Sequence, residues 1–389
     1  MTTPFLLSPL SEGSEYNLAV RSDRRADIDY KQSQLANLLR QVGCDGLLLT
    51  LRENFTWLTA GGTPRGLFEP NSAPMLYCTA ESRWLIASNV DSPRLFDEEI
   101  EALGFQLKEW PWHWGREQFL VDLCTNRKVA VDAPPGIPGD FPIVGPQLAG
   151  LRQSLTLYEQ AALMAVGAIV AHAIEATCRT IDRGSSEREI AGQVAHRLMH
   201  RGVFAEHVGI AVDGRSRVYR RYGFTAAPME RYAVVSATGR KYGLHATAAR
   251  VVCFGPPSEE LKAEINAVCR VSAVYAALTR SGAVPADLLE AGKRIYTLSG
   301  YEHEWLLAPQ GYLTGRTAVE SLFRPDTTTP LSVGSAVVWQ ASAGAALSAD
   351  TFLMTPQGAV LVTPTENWPH KRIRLHGQEI VRPDLLIRS

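Results

Sequence analysis

Gly184-Ser-Ser-Glu-Arg-Glu189 and, further on, Tyr232-Ala-Val-Val-Ser236 mark where the larger part of this chain passes from helix to strand. In the first run, Ser185 or Ser186 can accept a hydrogen bond from the open N–H groups of a helix's first turn. The glutamates that follow favour the positive end of its dipole. It therefore reads as a helix start, with the helix running to His200. Upstream, Leu163, Val166, Ile169 and Val170 recur at helical spacing and predict a long helix over about Thr156–Asp182. Within the second run, Ala233–Ser236 reads as a strand, with two β-branched valines. Val208–Val212 and Ala249–Phe254 read the same way. Helices are expected over Ser258–Ser281 and Asp287–Gly300, then strands at Glu304–Leu307, Ser335–Gln340, Thr351–Met354 and Ala359–Val362. Helices followed by antiparallel strands predict an α+β domain over residues 151–389.

Outward toward the N-terminus the pattern changes. From Asp27, apolar Ile28, Leu35, Leu38 and Leu39 share a helical face that Gly43 ends, and Gly46-Leu-Leu-Leu-Thr50 follows as a buried strand. Pro74–Cys78, Arg83–Ala87 and Val129–Val131 are further strand candidates. Residues 27–150 thus read as a smaller α/β domain, and residues 1–26 as an N-terminal arm. The segment lacks a basic start before a long apolar run, so no secretory signal is expected.

The whole chain has 389 residues, with 39 Lys+Arg against 40 Asp+Glu. Such balance argues against a nucleic-acid partner. No run of roughly 18 apolar residues occurs, so no membrane-spanning helix is expected. Six cysteines, Cys44, Cys78, Cys124, Cys178, Cys253 and Cys269, are widely spaced without a C-x-x-C pair. That pattern fits reduced thiols in a cytoplasm. Gly61-Gly-Thr-Pro-Arg-Gly66 lacks the ending of a phosphate-binding loop. His196 and His200 have metal-ligand spacing on a helix but no evident third ligand.

The order of parts resembles the creatinase / aminopeptidase P / prolidase family, with its pita-bread C-terminal domain and a creatinase-type N-terminal domain. The resemblance rests on Gly43-Cys-Asp-Gly46, Arg52-Glu-Asn54-Phe-Thr-Trp57, the helix from Thr156 and the block from Tyr232 to Arg250. Glu304-Trp305, Gln310-Gly311, Trp339-Gln340 and Ala349-Asp350-Thr351 add to it, as does the tail Val381-Arg-Pro-Asp384. Active members of that family hold two divalent ions with two Asp, one His and two Glu. Carried onto this chain, those five positions fall on Ser236, Thr247 (eleven residues on), Pro309, Gln340 and Ala349. None is charged, so the resemblance implies no metal and no other cofactor. Asp350, beside the last position, reads as structural. Creatinase works without metal through a histidine, and here that position falls on Arg221, always protonated and a poor base.

What remains is a pocket expected to be cationic. Arg221, His245 and His303 are the candidates for chemistry. Arg250, Arg316, Tyr312, Ser236, Thr247 and Gln340 are the candidates for substrate binding, and Ser342 adds a hydroxyl. The arginines could grip a carboxylate, and either histidine could move a proton near neutral pH. Each also has a plain alternative: Arg250 as a structural ion pair, His245 as a satisfied fold histidine, His303 on a surface loop. In Trp110-Pro-Trp112-His-Trp114, Trp112 is a candidate pocket wall or interface residue, against an edge strand packing alternate indoles inward. These readings predict a metal-independent enzyme acting on a C–N bond of a small amino-acid-like, peptide or amide substrate. The alternative is a catalytically inactive relative that binds a small molecule, a peptide or a protein. The ligand would be small and anionic, and the family resemblance implies a homodimer.

Overall fold

A computed structural model describes residues 14–64, 73–365, 367–375 and 377–389. The chain divides into two compact units, Met1–Leu148 and Ala149–Ser389.

In the first unit, helix α1 (Ser14–Val42) begins well before Asp27, so residues 14–26, expected in an arm, are helical. Residues 1–13 of that arm lie outside the described residues. Then come β1 (Gly46–Leu49), α2 (Arg52–Leu58), β2 (Met75–Cys78), β3 (Arg83–Ser88), the single turn α3 (Ser92–Arg94), β4 (Gln106–Trp110), α4 (Glu117–Cys124), β5 (Val129–Val131) and α5 (Gly145–Gln153). The sheet order is β4-β3-β2-β1-β5, with β1–β5 and β3–β4 parallel. Buried Asp132 accepts from the amides of Thr50 and Leu51, from the Thr50 hydroxyl, and from Asn54 Nδ2 at 2.8 Å. Asn54 therefore serves the fold, locking the turn from β1 into α2. Trp110 is buried at the end of β4, whereas Trp112 and Trp114 sit on a 3-10 turn, 67% and 74% exposed. The proline between them ends the strand, so the three indoles do not alternate along an edge strand.

The second unit runs α6 (Leu157–Thr180), α7 (Glu187–His200), β6 (Phe204–Val212), the turn α8 (Arg215–Val218), β7 (Tyr232–Lys241), β8 (Leu244–Phe254), α9 (Glu259–Leu278), α10 (Pro285–Leu298), β9 (Gly311–Thr314), β10 (Ser321–Leu322), β11 (Ala336–Ala343), β12 (Ala346–Thr355), β13 (Gly358–Leu361), β14 (His370–Leu375), β15 (Gln378–Pro383) and β16 (Leu386–Arg388). Thr156 and Ser186 cap α6 and α7 with full capping boxes, Glu159 and Glu189 answering from the third position. The long sheet has the order β10-β9-β11-β12-β8-β7-β6, with β13 beside β12 and β16 beside β8. All of its pairs are antiparallel except β16–β8. Glu304–Leu306, expected in a strand, is a 3-10 turn.

Helix α6 is apolar enough, by length and composition, to cross a membrane, as a buried core helix also is, and 56% of its apolar window is buried. The reason is its position: it packs on β7 and β8 and also against α7, so more than one of its faces is apolar. It approaches the chain so closely at Gly167 that an added Cβ would meet the Val362 carbonyl oxygen. All six cysteines are free thiols. Burial pushes Cys78, Cys178 and Cys269 up to about 12, which makes them inert.

Candidate functional site

The five positions to which the resemblance carries the family's metal ligands lie on or beside the central strands of the long sheet. Gln340 of β11 is opposite Ala349 of β12, Ala349 opposite Ala249 of β8, and Ala249 opposite Ser236 of β7. This single row crosses four strands and ends at Gly209 of β6. Strand side chains alternate, so Thr247 and Thr238 belong to the face that carries Ser236. Thr247 and Thr238 share a hydrogen bond of 2.8 Å. Gln340 Nε2 donates to the Pro309 carbonyl at 2.8 Å, and the Ser236 hydroxyl donates to the Gly209 carbonyl at 3.0 Å. The polar side chains at the ligand positions thus spend hydrogen bonds on their neighbours.

Two divalent ions held side by side need anionic, bridging oxygen ligands. This donor set offers two hydroxyls, one amide, and at Pro309 and Ala349 no side-chain ligand. It does not fit such a pair. Among the described residues, no three His, Cys, Asp or Glu side chains gather in a metal-holding group.

Tyr312 stands on the same face, its residue paired with Val338. Burial pushes its phenol up, and contact with Thr247 and the nearby Arg221 guanidinium pull it part of the way back. Arg221 itself is exposed. Of the proposed cationic residues, Arg221 is therefore the one placed at the ligand positions with a solvent-accessible charge.

The other proposed residues are placed differently. Arg250 is buried and points to the opposite face, where it pairs with Glu175 at 3.1 Å and Asp350 at 2.9 Å. Asp350 is also held by Arg382 and by the Thr363 hydroxyl. Arg316 is buried against Glu159 and donates to the Tyr242 carbonyl. Both arginines are committed to fold carboxylates, which overturns their expected role in gripping substrate. His245 is 4% exposed, and its Nδ1 lies 3.0 Å from the Gly315 carbonyl, as a fold histidine would. The His303 side chain is 83% exposed beside Glu302, so it does not converge with His245 in a pocket. Trp112 belongs to the first unit, with its indole exposed.

One residue was missed. His207 lies on β6 opposite Thr238, on the face of Ser236. Its ring reaches the Tyr222 carbonyl; the residue stays exposed to solvent, and partial desolvation by its neighbours lowers its basicity below the ordinary histidine value. An added Cβ at Gly209 would meet Ser236 Oγ at 2.7 Å and His207 Nε2 at 3.2 Å, so only glycine lets these two groups approach. The signal available in the sequence was period-two alternation back from Gly209. A bulge between Ala205 and His207 interrupts the register and hides it. Beside Ser236 lies the Tyr222 hydroxyl. Ser342 Oγ, two residues beyond Gln340 on β11, is buried without a hydrogen-bond partner among the described residues.

The loop bearing Arg221 is anchored at both ends. Glu187, fully buried in the first turn of α7, accepts from the Val212 amide at 3.0 Å and Arg215 Nε at 2.7 Å. It also accepts from the Thr225 amide and hydroxyl at 2.6 and 2.7 Å. Between these points, Arg220 pairs with Glu304 at 2.8 Å and donates to the Gly344 carbonyl.

Residues 161–338 match the model of Metallopeptidase family M24. No curated protein sequence matches the chain. Among solved structures, the prolidase from Pyrococcus furiosus is similar with TM-score 0.72 and 16% identity, over 85% of this chain and 100% of that one. The Xaa-Pro dipeptidase from Bacillus anthracis gives 0.74 and 17%, over 93% and 100%. The X-Pro aminopeptidase from Thermotoga maritima gives 0.73 and 16%, over 92% and 99%. The sheet and its covering helices have the pita-bread architecture of these prolidases and aminopeptidases, and the M24 match falls wholly within the second unit.

Proposed function

We propose that the second unit hydrolyses a C–N bond of a small, anionic peptide or amide without metal. His207 is the group that moves the proton, and Arg221 with Tyr312 holds the substrate's carboxylate. The observation that carries this reading is the placement of His207. Its imidazole and the Ser236 hydroxyl both lie over Gly209, on the face to which the resemblance carries the family's ligand positions. A neutral imidazole can take a proton from water as it adds to the carbonyl and return it to the departing nitrogen. Arg221 can pair with a carboxylate through two parallel N–H donors. The Ser342 hydroxyl, buried without a partner among the described residues, is a group that a bound substrate would satisfy.

The test is turnover of Xaa-Pro dipeptides, N-acyl amino acids, guanidino acids and cyclic amides in EDTA. His207→Gln is expected to lower kcat by about 100-fold or more, and Arg221→Ala to raise KM. Because partial desolvation lowers the His207 value, its neutral form persists below the ordinary 6.5. Activity should hold its plateau through that pH and fall only further into acid. Full activity in His207→Gln, or loss of activity in EDTA, would sink the proposal.

A second reading is a binding module without turnover. It is favoured by the internal hydrogen bonds of Ser236, Thr247 and Gln340, which occupy the polar groups at three of the positions carried over from the family. Thermal stabilisation by one compound class with no product formed would select it.

A further inference from the structure

A second place in this unit has the makings of a binding site, and it is independent of the hydrolytic reading. Residues 371–375 of β14, all five in succession, line a groove of about 660 Å³ with Arg270 of α9 and Ile295 and Leu298 of α10. Successive strand side chains point to opposite faces, so a groove that touches all five must follow the edge of the strand. β14 forms a two-stranded sheet with β15, paired from His370↔Pro383 to Leu375↔Gln378. Among the described residues no strand pairs with its other edge. Lys371, Ile373 and Leu375 are half-buried, while Arg372 and Arg374 are exposed. Arg270, Lys371, Arg372 and Arg374 bring four positive charges. On the hairpin, Glu379 answers them, pairing with Arg372 at 2.8 Å and lying opposite Arg374.

We infer that this groove binds an extended acidic peptide, added as a third strand beside β14. Its backbone would use the open amide edge. Alternate glutamates or aspartates would meet the arginines, and the aliphatic residues between them would cover Ile295 and Leu298. The chemistry selects this occupant. Basic side chains along an edge repel a second copy of the same edge, as in proteins that guard against self-pairing, but they attract an acidic strand. A single-stranded nucleic acid would call for stacking rings, and the groove offers aliphatic side chains and a backbone edge instead.

The experiment uses the full chain and a fluorescent peptide of alternating glutamate and valine, read by anisotropy. Saturable binding is expected, weakened at least tenfold when alternate peptide amides are N-methylated. Arg270→Glu with Arg374→Glu is expected to weaken it at least as much. Should that pair unfold the protein, Arg374→Glu alone, at an exposed position, takes its place and should weaken binding at least threefold. Three results would overturn the inference: no binding by the wild type, indifference to N-methylation, or equally tight binding of a single-stranded oligonucleotide of the same charge.

Discussion

Arg250 shows how a charge that looks available in a sequence can be spent inside the fold. Its guanidinium is fully buried, with Glu175 on one side and Asp350 on the other, and Asp350 also holds Arg382. Taking a charge out of water is costly, so each member depends on the others. Replacing Arg250 with Met would leave two carboxylates buried with Arg179 and Arg382 as their remaining cations. Breaking a buried pair by removing one partner costs about 3–5 kcal/mol. Arg250→Met is therefore expected to lose about that much stability in urea titration, and a loss under 1 kcal/mol would contradict this account. Arg316 teaches the same lesson, with its carboxylate on Glu159 at the start of α6. In both cases the residue type was legible and its partner was not, because the partners lie 75, 100 and 157 positions away in the chain.

The elements themselves were more legible than their side chains' partners. Helices α6 and α7 carry their start signals locally, in Thr156 with Glu159 and Ser186 with Glu189. The strands β7 and β8 were found but underestimated in length, because Ala237–Lys241 and Leu244–Ala248 are less apolar than the runs that announced them. The β14–β15 hairpin was missed although Arg372 to Leu375 alternate charged and apolar residues, which is a strand signal over a short run. Glu187 joins two elements that the sequence leaves unrelated, helix α7 and the loop between β6 and β7. It ends four hydrogen bonds at one carboxylate, so the loop from Val212 to Thr225 is built around it. Glu187→Gln removes the charge facing Arg215 and turns an N–H₂ group toward groups that are all donors. A stability loss of about 3 kcal/mol is expected, together with faster hydrogen exchange at Val212 and Thr225. Unchanged exchange at those two amides would show that the loop does not depend on this carboxylate.

At the scale of the whole molecule, the fold was readable because the order of elements survives when the chemistry at the site does not. At 16–17% identity to the compared enzymes, the fold still superposes over 85–93% of this chain with TM-scores of 0.72–0.74. Helix capping, strand alternation and core volume specify that fold, and they make no reference to what stands at five positions on one face. The fold and the site are therefore separable, which has a measurable consequence. With neutral residues at those positions, the melting temperature should be the same in EDTA and in millimolar Mn²⁺. The combined replacement Ser236→Asp, Thr247→Asp, Pro309→His, Gln340→Glu and Ala349→Glu would crowd four carboxylates onto adjacent strands. Like charges at such separations repel, so this variant should melt below the wild type in EDTA. A cation that binds the folded state but not the unfolded chain adds about 2.7 kcal/mol at 100 times its Kd. Mn²⁺ should accordingly raise the variant's melting temperature by several degrees while leaving the wild type unmoved. A wild type that Mn²⁺ stabilises equally would mean that ligands other than these five hold the ion, and the neutral pocket would lose its meaning.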